Sequence, residues 1–273
     1  MYFITVSSML GTNGEAIARK VAKDLNYTFY GEEELLKAAE DLGYLSDLQK
    51  LGEKSPALWE RLFSEKPKIY LDRLQSVIYE VAKQGDAVFF GKGSQLLLHS
   101  FDCAFHVLII GSLEKRIRRL MEERGVAQEV AERMIQRSDE DKKGFIHFAF
   151  HEEWLNPHLY DLVLNTDKLS VDFAARMIVE GAKTEEIKSC GVDSILNLRR
   201  LSLQRQVESA LLESGLLTSH VFFSIEADET VRVFGMVNSQ EAKEKIEALI
   251  KRVKGVQKVS NDLLVVQMAM SGL

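Results

Sequence analysis

The hydrophobic pattern of the first thirty residues changes its period at a glycine turn. Residues 2–6 carry aromatic and β-branched side chains, which predicts a strand. A turn with two glycines occupies residues 10–14, and after it Ile17, Val21 and Leu25 recur at helical spacing. The N-terminus is therefore predicted to run from a strand through a glycine turn into a helix.

Three later apolar runs lack polar alternation. They cover residues 87–90, 104–110 and 159–164, and amphipathic segments lie between them. Apolar strands separated by helices indicate a parallel sheet that is covered on both faces, which predicts an α/β fold. The predicted helices are 69–84, 113–124, 128–137 (which the charged run 138–143 extends or follows) and 171–183.

A second pattern begins after residues 183–193, a poorly patterned stretch that we interpret as a domain boundary. Beyond it, two strands joined by a short turn, a helix and a last strand predict a small α+β module with helices on one face. Its predicted elements are helices at 201–212 and 240–253 and strands at 221–227, 230–237 and 256–266. We therefore predict one domain at 1–183 and another at 195–268.

Charge and composition exclude several classes of function. The formal net charge is −6, which argues against a surface that coats nucleic acid and against a polybasic membrane anchor. No apolar stretch is long enough to span a bilayer, and residues 1–10 lack the basic start of a signal peptide. Cys103 and Cys190 fit no metal or redox spacing, so we predict two reduced thiols in a cytoplasmic protein.

The glycine turn is the first candidate for chemistry. A glycine loop between a strand and a helix can bind phosphate, because backbone N–H groups converge there and the helix N-terminus is partly positive. An ordinary tight turn that needs glycine for its dihedral angles explains the same residues equally well. The phosphate-loop pattern also requires Lys and then Ser or Thr after the last glycine, whereas this chain has Glu15 and Ala16.

Most of the first 180 or so residues resemble the cytidylate-kinase-like family of nucleoside monophosphate kinases. The resemblance rests on six segments that occur in the family's order. They are 11–18 (GTNGEAIA) in the glycine loop, 30–32 (YGE) before an acidic helix, 89–93 (FFGKG) after a buried strand, 116–119 (RIRR) in an arginine-rich helix, 139–142 (DEDK) in the lid and 160–166 (YDLVLNT) at the end. It implies a P-loop-kinase-like parallel sheet with helices on both faces, ATP and Mg²⁺ as cofactors, and a pyrimidine nucleotide as substrate.

Four positions depart from the family's pattern. The loop arginine is Glu15, the aspartate after the tyrosine is Gly31, and the arginines of the Gly-Arg-Gly and lid segments are Lys92 and Lys142. The resemblance implies that these positions contact, in that order, the donor phosphates, the acceptor nucleoside, the acceptor phosphate and the transferred phosphoryl group. A carboxylate about 4 Å from a phosphate is disfavoured by roughly 4 kcal/mol at an effective dielectric constant near 20. Lysine keeps the charge of arginine but not its planar fork.

The resemblance assigns the candidate site residues. Lys142 and Arg137 are the candidate catalytic residues, and Arg116 and Arg119 are candidates for stacking on the donor base. The candidate nucleotide-binding residues are Gly11, Thr12, Asn13, Gly14, Glu15, Lys92, Arg116 and Arg119. His147 and His151 lie four residues apart in the lid segment, but they lack the His-Glu-x-x-His order and a third ligand at a fixed spacing. We interpret them as solvated surface and predict no protein metal site.

The C-terminal module resembles the BON domain in residues 231–237, 239–242 and 255–263. A glycine at 235 follows an alternating strand, and Ser239 or Asn238 is placed to cap the next helix. The resemblance leaves open a small ligand, a lipid or a protein partner, and a passive structural appendage explains the segment equally well.

Three functions are therefore left open by the sequence. An active kinase predicts turnover of a pyrimidine monophosphate with Mg·ATP. A degenerate nucleotide-binding domain with weak or no kinase activity predicts binding without turnover, and the lost loop cation and hydroxyl favour it. A pure interaction protein predicts neither binding nor turnover, and a partner captured through the BON module. The alternative to a weak kinase is therefore a catalytically inactive nucleotide-sensing or partner-binding protein that acts through its BON domain.

Overall fold

A computed structural model of the chain describes residues 3–52, 67–187, 192–226 and 229–266. The chain forms two compact units. The first comprises Met1–Pro67 and Gln84–Ser194, and the second comprises Lys68–Lys83 and Ile195–Leu273. A segment from the first half of the chain therefore belongs to the C-terminal unit. The boundaries at 1–183 and 195–268 remain a prediction.

The first unit is built on a five-stranded sheet in the order β2-β3-β1-β4-β5, and all the strand pairs are parallel. This confirms the predicted α/β class. The strands are β1 (Phe3–Ser8), β2 (Thr28–Tyr30), β3 (Ala87–Phe90), β4 (Ala104–Ile110) and β5 (Leu162–Asn165). The helices are α1 (Gly14–Leu25), α2 (Glu32–Asp41), α3 (Leu45–Gly52), α5 (Ser94–Leu97), α6 (Leu113–Arg124), α7 (Gln128–Phe150) and α8 (Val171–Ala182), with a 3-10 turn at Pro157–Leu159.

Helices cover both faces of this sheet. On one face, Ile4 and Val6 of β1 pack with Ile17 of α1 and Ile178 of α8 in one buried cluster. The opposite face holds Leu108 of β4. It packs with Ile146, Trp154, Leu159 and Tyr160, and all five belong to a second cluster. Because β1 lies between β3 and β4 and is buried along its whole length, the turn that follows it emerges at the centre of the sheet edge.

The lid segment differs from the prediction in length. The sequence predicts a helix at 128–137 that is extended or followed by 138–143, whereas α7 is one helix of 23 residues. Ala131, Ile135 and Ile146 are buried along it, and the charged residues between Ile135 and Ile146 hide this spacing in the sequence. The helix ends at His151, which adopts a left-handed conformation with φ of 59°.

The second unit has a three-stranded sheet in the order β6-β7-β8. The strands are β6 (Val221–Ile225), β7 (Thr230–Val237) and β8 (Lys258–Val265), and its helices are α4 (Pro67–Ala82), α9 (Val192–Glu213) and α10 (Gln240–Lys251). β6 and β7 form the predicted antiparallel pair, and β8 runs parallel to β7. Val231, Val233 and Leu263 pack with Val207 of α9 and Ile246 of α10 on one face of the sheet.

Helix α4 is tied to α9 by buried polar contacts. Arg73 pairs with Glu213 at 2.6 Å and donates from Nε to Ser209 Oγ at 3.1 Å. Asp72 pairs with Arg205 at 3.2 Å, and Arg73 and Asp72 are both buried. These contacts place α4 in the same unit as the three-stranded sheet, although the sequence assigns this helix to the N-terminal domain.

Two predictions from the sequence concern the redox state of the cysteines and the presence of a membrane-spanning segment. The prediction of reduced thiols is wrong for Cys103, which is disulfide-bonded. Cys190 lies outside the described residues. None of the helices in the described parts of the chain has both the length and the hydrophobicity that crossing a membrane requires.

Candidate functional site

The glycine turn after β1 packs tightly against its neighbours. Gly11 has φ of 82°, and a Cβ atom there would lie 2.6 Å from the carbonyl oxygen of Arg116. At Gly14, the first residue of α1, a Cβ atom would lie 2.3 Å from the Cβ of Ser8. Both positions therefore require glycine, because a side chain would collide with backbone or with the preceding strand.

The carbonyl oxygens of the turn are bound by surrounding side chains. Lys142 Nζ donates to the oxygen of Ser8 at 2.8 Å, and Arg116 Nε donates to the oxygen of Leu10 at 2.7 Å. Thr12 Oγ1 donates to the oxygen of Met9 at 2.7 Å, so this hydroxyl stabilises the turn itself. Thr166 Oγ1 donates to the oxygen of Thr12 at 3.3 Å. These four carbonyl oxygens of the turn therefore have donors within the protein.

The N–H groups of the turn have a different environment. Within the described residues, no hydrogen-bond acceptor is paired with the backbone N–H of Gly11, Asn13, Gly14 or Glu15. The first intrahelical bond at this end of α1 runs from the N–H of Ile17 to the oxygen of Asn13. Unpaired N–H groups at the start of a 12-residue helix provide a site for an anion.

Glu15 lies at the surface beside this turn and does not fill it. Its side chain is 55% exposed, and its carboxylate pairs with Arg19 one helical turn later at 2.9 Å. Arg19 also contacts Glu34 at 3.2 Å and lies 4.1 Å from the ring centroid of Phe29. Burial raises the pKa of Glu34, but hydrogen bonds from backbone N–H groups and from Arg19 outweigh it, so this pKa is lowered. Glu34 therefore stays ionised near neutral pH.

Lys92 lies at the end of β3, next to the strand that leads to Gly31. It adopts φ of 55° between two glycines, and its Nζ pairs with Glu32 at 2.9 Å. The rings of Phe29 and Phe90 pack beside these charges with centroids 6.4 Å apart. The β2–β3 side of the turn thus combines aromatic rings with two cations that are both paired with carboxylates.

Arg116 forms a buried clamp between the turn and the lid helix α7. Its side chain is 4% exposed, and its two terminal nitrogens donate to the carboxylate of Asp139 at 2.9 and 2.7 Å. The same guanidinium donates to Leu10, as described above. Stacking of Arg116 on a base would require the pair with Asp139 to open.

The remaining candidate residues are spread around the turn. Arg119 donates to the side-chain and backbone oxygens of Thr166, at the end of β5. Arg137 is exposed on α7. The structure therefore brings Lys142 and Arg116 directly to the turn, whereas Arg119 contacts it through Thr166. The nucleotide-binding and catalytic roles of all these residues remain predictions.

A buried hydrogen-bond chain supports the position of Lys142, and the sequence analysis missed it. Ser7 Oγ donates to Gln95, and Gln95 Nε2 donates to the hydroxyl of Tyr160 at 3.4 Å. The Tyr160 hydroxyl donates to the carbonyl oxygen of Trp154 at 2.6 Å, and Lys142 Nζ lies 5.7 Å from the centroid of the Trp154 ring. Trp154, which follows the lid segment, was the signal in the sequence that could have predicted this contact, because a cation and an aromatic ring often pair.

The residues near the turn can hold phosphate through the backbone, but one usual Mg²⁺ ligand is missing. The N–H groups can hold phosphate oxygens, but the position that supplies a metal-binding hydroxyl is Ala16, and the hydroxyl of Thr12 is bonded to Met9. The turn therefore lacks the hydroxyl ligand of the phosphate-loop pattern, and the exposed carboxylate of Glu15 beside it is paired with Arg19. Across the described residues, no group of three or more His, Cys, Asp or Glu side chains could hold a metal ion.

Comparisons with known proteins agree with this geometry. Residues 3–168 match the model of the cytidylate kinase-like family, and residues 201–267 match the model of the BON domain. No curated protein matches the chain with significant similarity.

One solved structure with low sequence identity shares the fold, and two others align with lower scores. An uncharacterized protein from Eubacterium ventriosum superposes with a TM-score of 0.55 and 20% identity, over 68% of this chain and 100% of that one. A gluconokinase from Sinorhizobium meliloti has a TM-score of 0.42 and 11% identity, over 66% of this chain and 91% of that one. A shikimate kinase from Bacteroides thetaiotaomicron has a TM-score of 0.41 and 12% identity, over 67% and 99%. Because the family model spans more than half of the sequence, the chain belongs to the cytidylate kinase-like family, and it carries a BON domain at its C-terminal end.

Proposed function

We propose that the N-terminal domain binds a nucleoside triphosphate at the glycine turn and transfers phosphate to a pyrimidine nucleotide weakly or not at all. The observation that carries this proposal is the set of unpaired N–H groups at Gly11, Asn13, Gly14 and Glu15, among the described residues. The neighbouring carbonyl oxygens of Ser8 and Leu10 accept hydrogen bonds from Lys142 and Arg116. Such a turn accepts anionic oxygens through its backbone.

The position of Lys142 supports ATP as the ligand. Its ammonium group lies 2.8 Å from the oxygen of Ser8, so it brings a positive charge to the turn from the lid helix. This charge partly replaces the cation that Glu15 removes. When ATP is bound, it would supply the phosphoryl group, and the chain's own residues would hold the phosphate oxygens and exclude water.

The low activity follows from the charges and ligands at the same turn. Phosphoryl transfer depends almost wholly on positioning and on neutralising charge. Here Arg116 is neutralised by Asp139 and Arg19 by Glu15 and Glu34. The turn also lacks the metal-binding hydroxyl, because that position is Ala16. We therefore expect this chain to bind nucleotide but to transfer phosphate weakly or not at all.

Thermal shift and calorimetry on the full chain test this proposal. ATP should raise the melting temperature at concentrations far above its dissociation constant, and adenosine, which has no phosphates, should not. A coupled assay with CMP, dCMP and UMP should show turnover well below the roughly 1–100 s⁻¹ of ordinary kinases. The proposal fails if ATP leaves melting unchanged, and the claim of weak transfer fails if turnover reaches that range.

A function carried by the BON domain is the second candidate. One face of its sheet exposes Phe222, Phe234, Met236 and Leu264, and the two phenyl rings stack with centroids 5.9 Å apart. This candidate predicts that ATP and CMP leave the melting temperature unchanged. The cytoplasmic location and the absence of nucleic-acid binding remain predictions from the sequence.

A further inference from the structure

The three-stranded sheet of the second unit has an apolar patch on the face that points away from its helices. Val231, Val233 and Leu263 point into the buried cluster with α9 and α10, so their neighbours along the strands point outwards. The register places two pairs of these outward residues side by side on adjacent strands. The patch consists of Phe222 (52% exposed) beside Phe234 (39%) and Met236 (49%) beside Leu264 (66%).

An ion pair borders this patch on the same face. Arg232 Nε lies 2.6 Å from Asp262 Oδ2 across β7 and β8, and both side chains are about half exposed. Asp262 is in register with Phe234, and Arg232 precedes Phe234 by two residues, so the pair adjoins the patch. A positive and a negative charge therefore lie next to the exposed aromatic rings, which stack with centroids 5.9 Å apart.

The size of the patch matches what two copies of one surface need for a specific contact. At roughly 200 Å² for a fully exposed large side chain, the four exposed fractions amount to about 400 Å² per copy. Homodimer interfaces are about 65% apolar, so a contact centred on this patch would bury about 600 Å² per copy and about 1,200 Å² in total. A total of about 1,200 Å² is the lower end of specific interfaces, which favours a weak and reversible dimer.

We propose that two copies of the chain associate face to face through this patch and form a dimer with two-fold symmetry. An axis parallel to the strands, between β7 and β8, lays β7 of one copy over β8 of the other. Met236 then faces the partner's Leu264, and Arg232 comes within reach of the partner's Asp262. The contact matches apolar area with apolar area and each charge with its opposite.

A second copy fits this face better than a lipid surface does. Against hydrocarbon, the pair of Arg232 and Asp262 would lose water without gaining a matching charge. A second copy supplies both missing charges at the same time, because the surface is its own complement. The inference is independent of nucleotide binding at the glycine turn.

Sedimentation of the full chain at increasing concentration measures this association. We expect a monomer–dimer equilibrium with a dissociation constant on the order of 1–100 µM. Phe222→Ser should weaken the dimer at least about tenfold, because each dimer loses two central aromatic contacts. Phe173→Ser is the matched control, since Phe173 is 44% exposed on α8 in the first unit, and it should leave the dissociation constant unchanged.

Two charge reversals test which face is used. Arg232→Glu leaves two carboxylates on the face, and Asp262→Arg leaves two guanidinium groups. Each variant alone should dimerise at least about tenfold more weakly than the wild type, because like charges then meet. An equimolar mixture of the two variants should associate again. Arg118→Glu, an equal change of charge at an exposed position on α6, should have no effect.

Each result decides the inference. A wild type that remains monomeric up to about 200 µM would overturn it, since this exceeds the expected range of dissociation constants. Dimers that persist in Phe222→Ser, or a mixture of the charge variants that stays monomeric, would also overturn it. The same holds if a monomeric chain floats with phosphatidylcholine vesicles and Phe222→Ser abolishes the flotation, because the patch then binds lipid.

Discussion

At the residue scale, Glu15 replaces a cation at the turn by an anion but leaves the turn open. The side chain pairs with Arg19 along α1, so the N–H groups are not blocked by it. The electrostatic cost to phosphate is smaller than for a buried carboxylate, because Glu15 is 55% exposed and its pair is screened by solvent.

Glu15→Arg should therefore tighten ATP binding by roughly tenfold, because it exchanges a nearby repulsion for an attraction in a solvated site. Isothermal calorimetry measures the change directly. Glu15→Gln is the matched control and should give about half of the free-energy gain, since it removes the repulsion alone. No change in either variant would show that the turn does not bind phosphate.

His106 in β4 is a second residue to consider, because its environment affects how stability depends on pH. It is 4% exposed, its Nδ1 lies 2.8 Å from Thr5 Oγ1, and its ring stacks on His99. Burial lowers the pKa of His106 to about 4, against a favourable charge interaction with Asp161 and with a further decrease from His99. The folded chain therefore keeps this ring neutral at pH values where the unfolded chain protonates it.

The free energy of unfolding should fall as the pH is lowered from about 6.5 to about 4, by up to about 1.4 kcal/mol per pH unit from this group. The free energy of unfolding falls because, as the pH is lowered, the unfolded state binds the proton at a higher pH than the folded state does. Urea unfolding of wild type and His106→Asn at several pH values isolates the contribution, since the variant lacks the imidazole. Identical pH dependence in the two proteins would contradict the assignment.

At the scale of elements, the lid helix α7 is joined to the turn by the pair of Arg116 with Asp139. Removing one partner of a buried ion pair costs about 3–5 kcal/mol, and the 29% exposure of Asp139 reduces this. Arg116→Ala should therefore lower the free energy of unfolding by about 2–3 kcal/mol. Denaturant unfolding measures the change, and hydrogen exchange should show lost protection in α7 and the turn.

Arg118→Ala is the control, because Arg118 lies on α6 together with Arg116. Arg118 pairs with Glu114 at the surface, where its side chain is 57% exposed, so the cost should stay below about 0.5 kcal/mol. Equal effects of the two variants would mean that the clamp does not stabilise the lid.

The sequence predicts the buried strands accurately and the lid helix less well, for physical reasons. The strands at 87–90 and 104–110 are predicted at their observed bounds, because buried parallel strands are apolar throughout. The lid helix is predicted too short, since its middle is charged. The partners of Lys142 and Arg116 could not be predicted, because Trp154 and Asp139 reach them through tertiary packing and no spacing along the chain encodes those contacts.

At the scale of the whole molecule, α4 links the two halves of the sequence within one unit. Arg73 is buried between Ser209 and Glu213 of α9, although more than 130 residues separate them in the chain. Arg73→Ala should lower the free energy of unfolding by about 2 kcal/mol, because Glu213 is half-exposed and loses less than a buried partner. Hydrogen exchange should increase first in α4 and α9.

Arg232→Ala is the comparison within the same unit. Arg232 pairs with Asp262 across β7 and β8 while more than half exposed, so its loss should cost below about 0.5 kcal/mol. A rise in exchange that is spread equally over β1 and β4 after Arg73→Ala would contradict the grouping of α4 with the C-terminal unit.

The path of the chain through α4 limits how such a protein can be dissected or recombined. The polypeptide enters the C-terminal unit at Lys68, leaves it after Lys83 and returns at Ile195. A stop codon near residue 194 would thus yield a product that still contains Asp72 and Arg73 but has lost Arg205, Ser209 and Glu213. A gene fusion that added only the BON segment to another protein would lack α4. Exchange of this unit between proteins therefore needs three junctions, before Lys68, after Lys83 and before Ile195, where a simple fusion needs one.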